Sequence, residues 1–108
     1  MRRLLAAAIV VSCCANTSPA QEPDRQVEQG ELLAMTLCAE CHAIGATDAS
    51  PHAQAPAFRA LDRRVNLDTF FQRLRKGVTS GHPDMPTFRF GREEARAFIA
   101  YLRSIQRR

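Results

Sequence analysis

The sequence predicts an all-α fold with about three main helices. Apolar residues recur at spacings of three and four in three separate stretches, which is the period of an α-helix. No stretch shows the apolar–polar alternation of a half-buried strand. The 108 residues suffice for one small domain, and two long loops separate the helical stretches.

The first helix is predicted to begin after Asp24, a suitable N-cap, and to run into the stretch Cys38-Ala39-Glu40-Cys41-His42. Its inward face is formed by Val27, Gly30, Ala34, Leu37, Cys38 and Cys41. Gly45 is expected to break it. Residues 45–65 have little periodicity, and we expect them to form the first long loop.

The second helix is predicted between Asn66, which has the side chain of an N-cap, and Gly77, which is suited to the position just beyond a helix end. Its inward residues are Leu67, Phe70, Phe71 and Leu74. Residues 78–90 contain two prolines and a glycine, which disfavour helix and predict the second long loop.

The third helix is predicted from about Gly91 to Gln106. Acidic Glu93 and Glu94 in its first turn and basic Arg103 near its end suit the helix dipole. Its apolar stripe consists of Ala95, Phe98, Ile99, Leu102 and Ile105.

The first 20 residues are interpreted as an export signal, which leaves residues 21–108 as the domain. A basic start, a short apolar run and the small residues Ser18-Pro19-Ala20 form the pattern that a signal peptidase cleaves, and the run is too short to cross a bilayer. A second interpretation is a lipoprotein signal that ends before Cys13, because Val10-Val11-Ser12-Cys13 resembles a lipobox. Both place the domain outside the cytoplasm, and only lipidation at Cys13 would tie it to a membrane.

The charge distribution indicates the kind of partner. Residues 21–58 hold one basic and six acidic residues, a net charge of −5, whereas residues 59–108 hold twelve basic and five acidic residues, a net charge of +7. The basic half favours a protein partner with an acidic surface. The candidate steering residues are Arg73, Arg75, Lys76 and Arg89. The basic residues follow helical periodicity in an exported chain, so nucleic acid is not expected as a partner.

The pair Cys38 and Cys41, followed at once by His42, has several possible uses. A zinc site needs two more ligands, and we expect His52 and His82 to lie apart in different loops. A thioredoxin-like redox pair belongs at the start of a helix in an α/β fold, whereas this pair lies at the end of a predicted helix in a chain without predicted strands. A disulfide that spans only two residues is strained.

Cys-x-x-Cys-His is instead the pattern of covalent attachment of haem c. Each thiol adds to one vinyl group, and the imidazole of His42 becomes the proximal iron ligand. One such motif predicts one covalently bound haem. A flat apolar group would also explain two long loops in so short a chain, because the loops could pack against it.

The residues available for the other face of the iron are Met35, Met85, His52 and His82. Met35 is expected to pack in the core, and His52 to lie in a solvated loop. Met85 precedes Pro86, which stiffens the approach of the loop, and a thioether favours ferrous iron. Met85 is therefore the predicted distal ligand, and His82 is its rival.

The chain resembles the class I cytochromes c over about residues 25–106. The resemblance is carried by Gly30, CAECH, Ala55-Pro56-Ala57-Phe58, Gly81-His82-Pro83-Asp84-Met85-Pro86 and Ala100-Tyr101-Leu102. It implies the cytochrome c fold, in which helices and loops wrap around the haem, and it strengthens the assignment of Met85.

The resemblance also implies two contacts. Gly30 is placed against the Phe98 to Leu102 region, where the first and last helices cross. The carbonyl group of Pro56 is placed on the second ring nitrogen of His42, which would raise the basicity of the ligand. Two features depart from the family: Ala34 stands where many relatives have an aromatic residue, and no tryptophan is present. The arginines that could replace the usual haem-propionate partner are Arg63, Arg64 and Arg89.

The resemblance implies a single-electron carrier rather than an enzyme, since an iron with two protein ligands has no open position for a substrate. Three alternatives remain at this point. The chain could be the cytochrome subunit of a periplasmic dehydrogenase, a ligand-binding or sensing haem protein from which Met85 dissociates, or a disulfide oxidoreductase without haem.

Overall fold

The computed structural model describes residues 9–15, 19 and 21–106. Its helices are α1 (Gln21–Leu37), a short 3-10 helix (Phe58–Arg63), α2 (Leu67–Lys76) and α3 (Arg92–Ile105). Within these ranges there is no β-strand, and a single isolated bridge joins Val78 and Phe88. The prediction of an all-α fold is confirmed. The predicted export signal falls largely outside the described residues, although Cys13 is described and exposed.

Helix α1 differs from the prediction at both ends. It begins at Gln21, so Asp24 lies inside its first turn beside Glu22, where both carboxylates oppose the positive end of the helix dipole. It ends at Leu37, before the Cys-x-x-Cys-His stretch. The expectation that the helix continues into that stretch is wrong, because the chain tightens into turns directly after Leu37.

The first long loop contains a helix that the sequence pattern does not reveal. Phe58–Arg63 forms a 3-10 helix in which Phe58 and Leu61 are buried. The side chain of Gln106, at the end of α3, makes two hydrogen bonds to this 3-10 helix, one as a donor and one as an acceptor. Its side-chain amide donates to the carbonyl of Phe58 at 2.7 Å, and its side-chain oxygen accepts from the backbone N–H of Asp62 at 2.9 Å.

The predicted boundaries of α2 and α3 are confirmed. The side chain of Asn66 accepts hydrogen bonds from the backbone N–H groups of Asp68 (2.8 Å) and Thr69 (3.2 Å), which satisfies two free donors of the first turn of α2. Gly77 ends α2 with φ of +115°, in a region that residues with a side chain rarely adopt. Gly91 is the N-cap of α3, and Gln106 is its C-cap.

Helices α1 and α3 form the main contact of the fold, and they meet at Gly30. A β-carbon placed on Gly30 would lie 2.0 Å from the carbonyl oxygen of Ala97 and 2.6 Å from the β-carbon of Tyr101. Only a glycine permits this approach. The structure therefore confirms the helix crossing that the resemblance implies, with Ala97 and Tyr101 as the opposing residues.

The core lies between α3, α2 and the 3-10 helix. Its buried side chains include Ala34, Phe58, Leu61, Phe70, Leu74, Val78, Phe90, Ala95, Phe98, Ile99, Tyr101 and Leu102. Two apolar residues of α1 depart from expectation. Met35 is 55 % exposed and Leu37 is 39 % exposed, because the face of α1 that contacts α3 is defined by Gly30 and Ala34. The expectation that Met35 packs in the core is wrong.

We expect Gly30→Ala to lower the free energy of unfolding by about 1–3 kcal/mol. Alanine favours a helix over glycine by about 1 kcal/mol, but the added methyl group would force α1 and α3 apart. Chemical denaturation of the ferric haem protein measures the change. Glu28→Ala, at an exposed position of the same helix, is the matched control and should change stability by less than about 0.5 kcal/mol. A Gly30→Ala protein as stable as this control would contradict the proposed crossing.

Candidate functional site

A cavity of about 610 Å³ lies at the centre of the domain, between the Cys38–His42 turn and the loop that carries Met85. Its wall is largely apolar and includes Leu37, Phe58, Leu61, Val65, Phe70, Leu74, Val78, Phe88, Phe90 and Phe98. Such a volume and lining are typical of a site for a small organic ligand. Cys38, Cys41, His42, His82 and Met85 also border the cavity.

The Cys38–His42 turn is held by backbone hydrogen bonds. The N–H of Cys38 donates to the carbonyl of Ala34 at 2.9 Å, which joins the turn to the end of α1. The N–H groups of Cys41 and His42 both donate to the carbonyl of Cys38, at 3.1 and 2.9 Å. One tight turn therefore brings both thiols and the imidazole to the same cavity.

The ring of His42 is fixed by Pro56. Its Nδ1 lies 2.8 Å from the carbonyl oxygen of Pro56, which is the contact that the resemblance implies. A carbonyl oxygen can only accept a hydrogen bond, so the proton must sit on Nδ1. Nε2 then keeps its lone pair, as a metal ligand requires. The ring of Phe58, centred 4.9 Å away, supports the imidazole from the core.

The thiol of Cys38 is not suited to redox exchange. All four cysteines of the chain fall in the described part, and none forms a disulfide. Burial raises the pKa of Cys38 to about 11, whereas a redox-active pair needs a lowered pKa to supply a thiolate. The raised pKa of Cys38 thus argues against a disulfide oxidoreductase, and a half-buried, neutral thiol agrees with attachment of an apolar group.

Met85 and His82 border the cavity in different ways. Met85 is partly buried and packs against the hydrophobic core. His82 has both ring nitrogens in hydrogen bonds: Nε2 lies 2.5 Å from the side-chain oxygen of Gln54, and Nδ1 accepts from the backbone N–H of Asp84 at 3.2 Å. The ring of His82 is thus engaged with the first long loop, whereas Met85 faces apolar surroundings.

The expectation that His52 and His82 lie apart is wrong. Their ring centroids are 5.4 Å apart in an edge-to-face arrangement, because the two long loops meet beside the cavity. Nε2 of His52 also donates to a carboxylate oxygen of Asp84 at 3.2 Å. No local pattern in either loop predicts this contact, which depends on how the whole chain folds.

Two arginines border the cavity, Arg64 and Arg73. The sequence singled out Arg64, together with Arg63 and Arg89, as possible partners of haem propionates; Arg63 and Arg89 are not part of the cavity wall. Arg73 was expected only as a steering residue. Its guanidinium lies 5.4 Å from the centre of the Phe70 ring, which holds the side chain beside the cavity.

The side chain of Tyr101 is hydrogen-bonded to the segment that follows the Cys38–His42 turn. Its hydroxyl donates to the carbonyl of Ile44 at 2.5 Å, and so connects α3 to the first long loop. Burial, then the charges of Glu31 and Asp48, raises the pKa of Tyr101 above its ordinary value of 10.0. The hydroxyl therefore keeps its proton, and the bond, throughout the neutral pH range.

Comparisons with known proteins agree with this arrangement. Residues 25–102 match the family model described as cytochrome c oxidase, cbb3-type, subunit III. The chain belongs to this family of c-type cytochromes. It is also 30 % identical over 98 residues to cytochrome c-552 of Bradyrhizobium diazoefficiens, an alignment that covers 91 % of this chain and 90 % of that protein. No solved structure matches the chain.

Membership in this family gives the chain a covalently bound haem c, and the cavity fits that group. The thiols of Cys38 and Cys41, the free Nε2 lone pair of His42 and the surrounding aromatic side chains meet there. Among the described helices, none is both long and apolar enough to span a membrane.

Proposed function

We propose that this c-type cytochrome is a periplasmic single-electron carrier with one haem, whose iron is held between His42 and Met85. The observation that carries the proposal is the contact between the ring of His42 and the carbonyl oxygen of Pro56. The contact with Pro56 leaves Nε2 of His42 as a free electron-pair donor beside two thiols that share the same cavity. Family membership supports electron transfer as the general function.

The assignment of residues around the haem follows from their positions. Cys38 and Cys41 would anchor it through two thioether bonds, and His42 would bind the iron from one side. Arg64 and Arg73, which border an otherwise apolar cavity, would hold the propionates. The covalent anchor keeps the group in a domain whose loops enclose it only loosely.

Met85 is a better candidate than His82 for the second protein ligand of the iron. Binding of iron by His82 would break its contacts with Gln54 and Asp84, whereas Met85 has no hydrogen-bonding group to release. The apolar packing of Met85 also suits a thioether, which favours the ferrous state and raises the reduction potential.

The bound haem iron supplies the chemistry, a reversible change of oxidation state by one electron. The chain contributes the rest. His42 and Met85 would both bind the iron and so would leave no position on the metal open to a substrate. The apolar part of the cavity wall would surround the haem with a less polar environment than water, and the Pro56 carbonyl would increase electron donation by His42. Together these features favour a carrier over an enzyme or a ligand sensor.

The proposed partners are redox proteins with acidic docking surfaces. The charge of +7 on residues 59–108 would attract such a surface and speed the encounter. Arg73 is both exposed and part of the cavity wall, which supports a role for its positive charge in attracting such a partner towards the haem. The dehydrogenase-subunit alternative uses the same ligands and differs only in how long the partner stays bound.

We expect the near-infrared absorption band of methionine-ligated ferric haem to disappear in Met85→Ala and to persist in His82→Ala. The protein should be made in a host that attaches haem to c-type cytochromes. The His82 variant is the matched control, because both side chains border the same cavity on the same loop. A band that survives in Met85→Ala would contradict the ligation proposed here.

We expect the exported protein to begin at Gln21, with no lipid attached. Measurement of the intact mass of the protein isolated from its native cells tests this. The expected mass is that of residues 21–108 plus one haem. A mass consistent with a diacylglyceryl group on Cys13 would contradict release in free form and would establish a lipoprotein.

A further inference from the structure

At the border of the haem cavity, three metal-binding side chains meet where the two long loops touch. His52 comes from the first long loop, and His82 and Asp84 come from the second. One donor atom from each lies within 4.8 Å of the others. We propose that His52, His82 and Asp84 form a binding site for a divalent transition-metal ion of the zinc type, separate from the haem iron.

The donor atoms suit this class of ion. Two imidazole nitrogens and one carboxylate oxygen form a common ligand set for zinc, with a fourth position left for water. Imidazole favours transition metals such as zinc and copper over magnesium and calcium, which prefer oxygen ligands. The zinc ion is the natural probe, because it has no redox chemistry of its own and cannot exchange electrons with the haem.

The spacing requires only a small adjustment. Tetrahedral bonds of 2.0–2.2 Å place neighbouring ligand atoms about 3.3–3.6 Å apart. Nε2 of His52 and the carboxylate oxygen of Asp84 are already 3.2 Å apart. The main movement falls on His82, whose Nε2 must leave the side chain of Gln54.

Besides the contact between His82 and Gln54, binding would break two longer hydrogen bonds. Nδ1 of His52 accepts from the N–H of Gln54, and Nδ1 of His82 accepts from the N–H of Asp84, both at 3.2 Å. Binding of a metal at Nε2 moves the ring proton to Nδ1 and gives up these two contacts. Gln54 and Asp84 are exposed, so water can satisfy their N–H groups. The cluster is also open to an incoming ion, since the His52 side chain is 31 % exposed.

The position of the cluster gives metal binding a structural consequence. The backbone N–H of His52 donates to the carbonyl of Cys41 at 3.1 Å, so His52 is connected to the haem-attachment turn. Asp84 directly precedes Met85, the proposed distal ligand. A metal ion bound by His52, His82 and Asp84 would therefore cross-link the segments that hold the two sides of the haem cavity.

Calorimetric titration of zinc into the untagged haem-containing protein tests the inference. We expect one zinc ion to bind per chain. His52→Ala, His82→Ala and Asp84→Asn should each weaken binding by about 10–100-fold or more, since removal of even an outer-shell partner commonly has that effect. Asp62→Asn, which removes an exposed carboxylate outside the cluster, is the control and should bind zinc as the unmodified protein does.

Absence of zinc binding, or binding that all three substitutions leave unchanged, would overturn the inference. The inference rests on the proposed function in one respect, because His82 must not be an iron ligand. The near-infrared methionine band of the same samples separates the two outcomes. A protein that shows the band but binds no zinc refutes the metal site alone, whereas loss of the band in zinc-free protein refutes the proposed ligation.

Discussion

The close contact between α1 and α3 determines the geometry of the rest of the molecule. Gly30 lets the backbone of α1 lie directly on Ala97 and Tyr101, where any side chain would collide. That contact fixes the end of α1, from which the Cys38–His42 turn continues. Tyr101, one of the residues at the contact, then holds Ile44 just beyond the turn. The position of the attachment motif thus follows from the helix packing.

The second constraint is the large cavity that the side chains of the domain leave between the two long loops. A cavity of about 610 Å³ in a chain of 108 residues leaves the loops without enough protein to pack against. Covalent attachment of haem suits such a domain, because small domains often need a cofactor to supply the missing core. The same loops provide Pro56 and Met85, so the segments that would enclose the haem are also the ones proposed to hold and tune its iron.

Local signals in the sequence predict much of this fold. The caps at Asn66 and Gly91 and the turn-forming Gly77 are short-range features, and α2 and α3 begin and end where those residues predict. The attachment motif is also local. The 3-10 helix at Phe58 and the contact between His52 and His82 were not predicted, since both depend on residues distant in the chain. Arg73 was predicted only to steer partners from the surface. Its position at the cavity depends on the folded chain and so could not be predicted from local sequence.

The central claim is that two side chains of this protein, His42 and Met85, would bind the haem iron and leave no position open to another ligand. A spectroelectrochemical titration carried out with and without carbon monoxide tests it most directly. The account predicts one reversible one-electron step, with the same midpoint potential and the same reduced spectrum under both conditions. Rapid binding of carbon monoxide to the reduced protein, with a raised midpoint potential, would show an accessible iron and contradict the account.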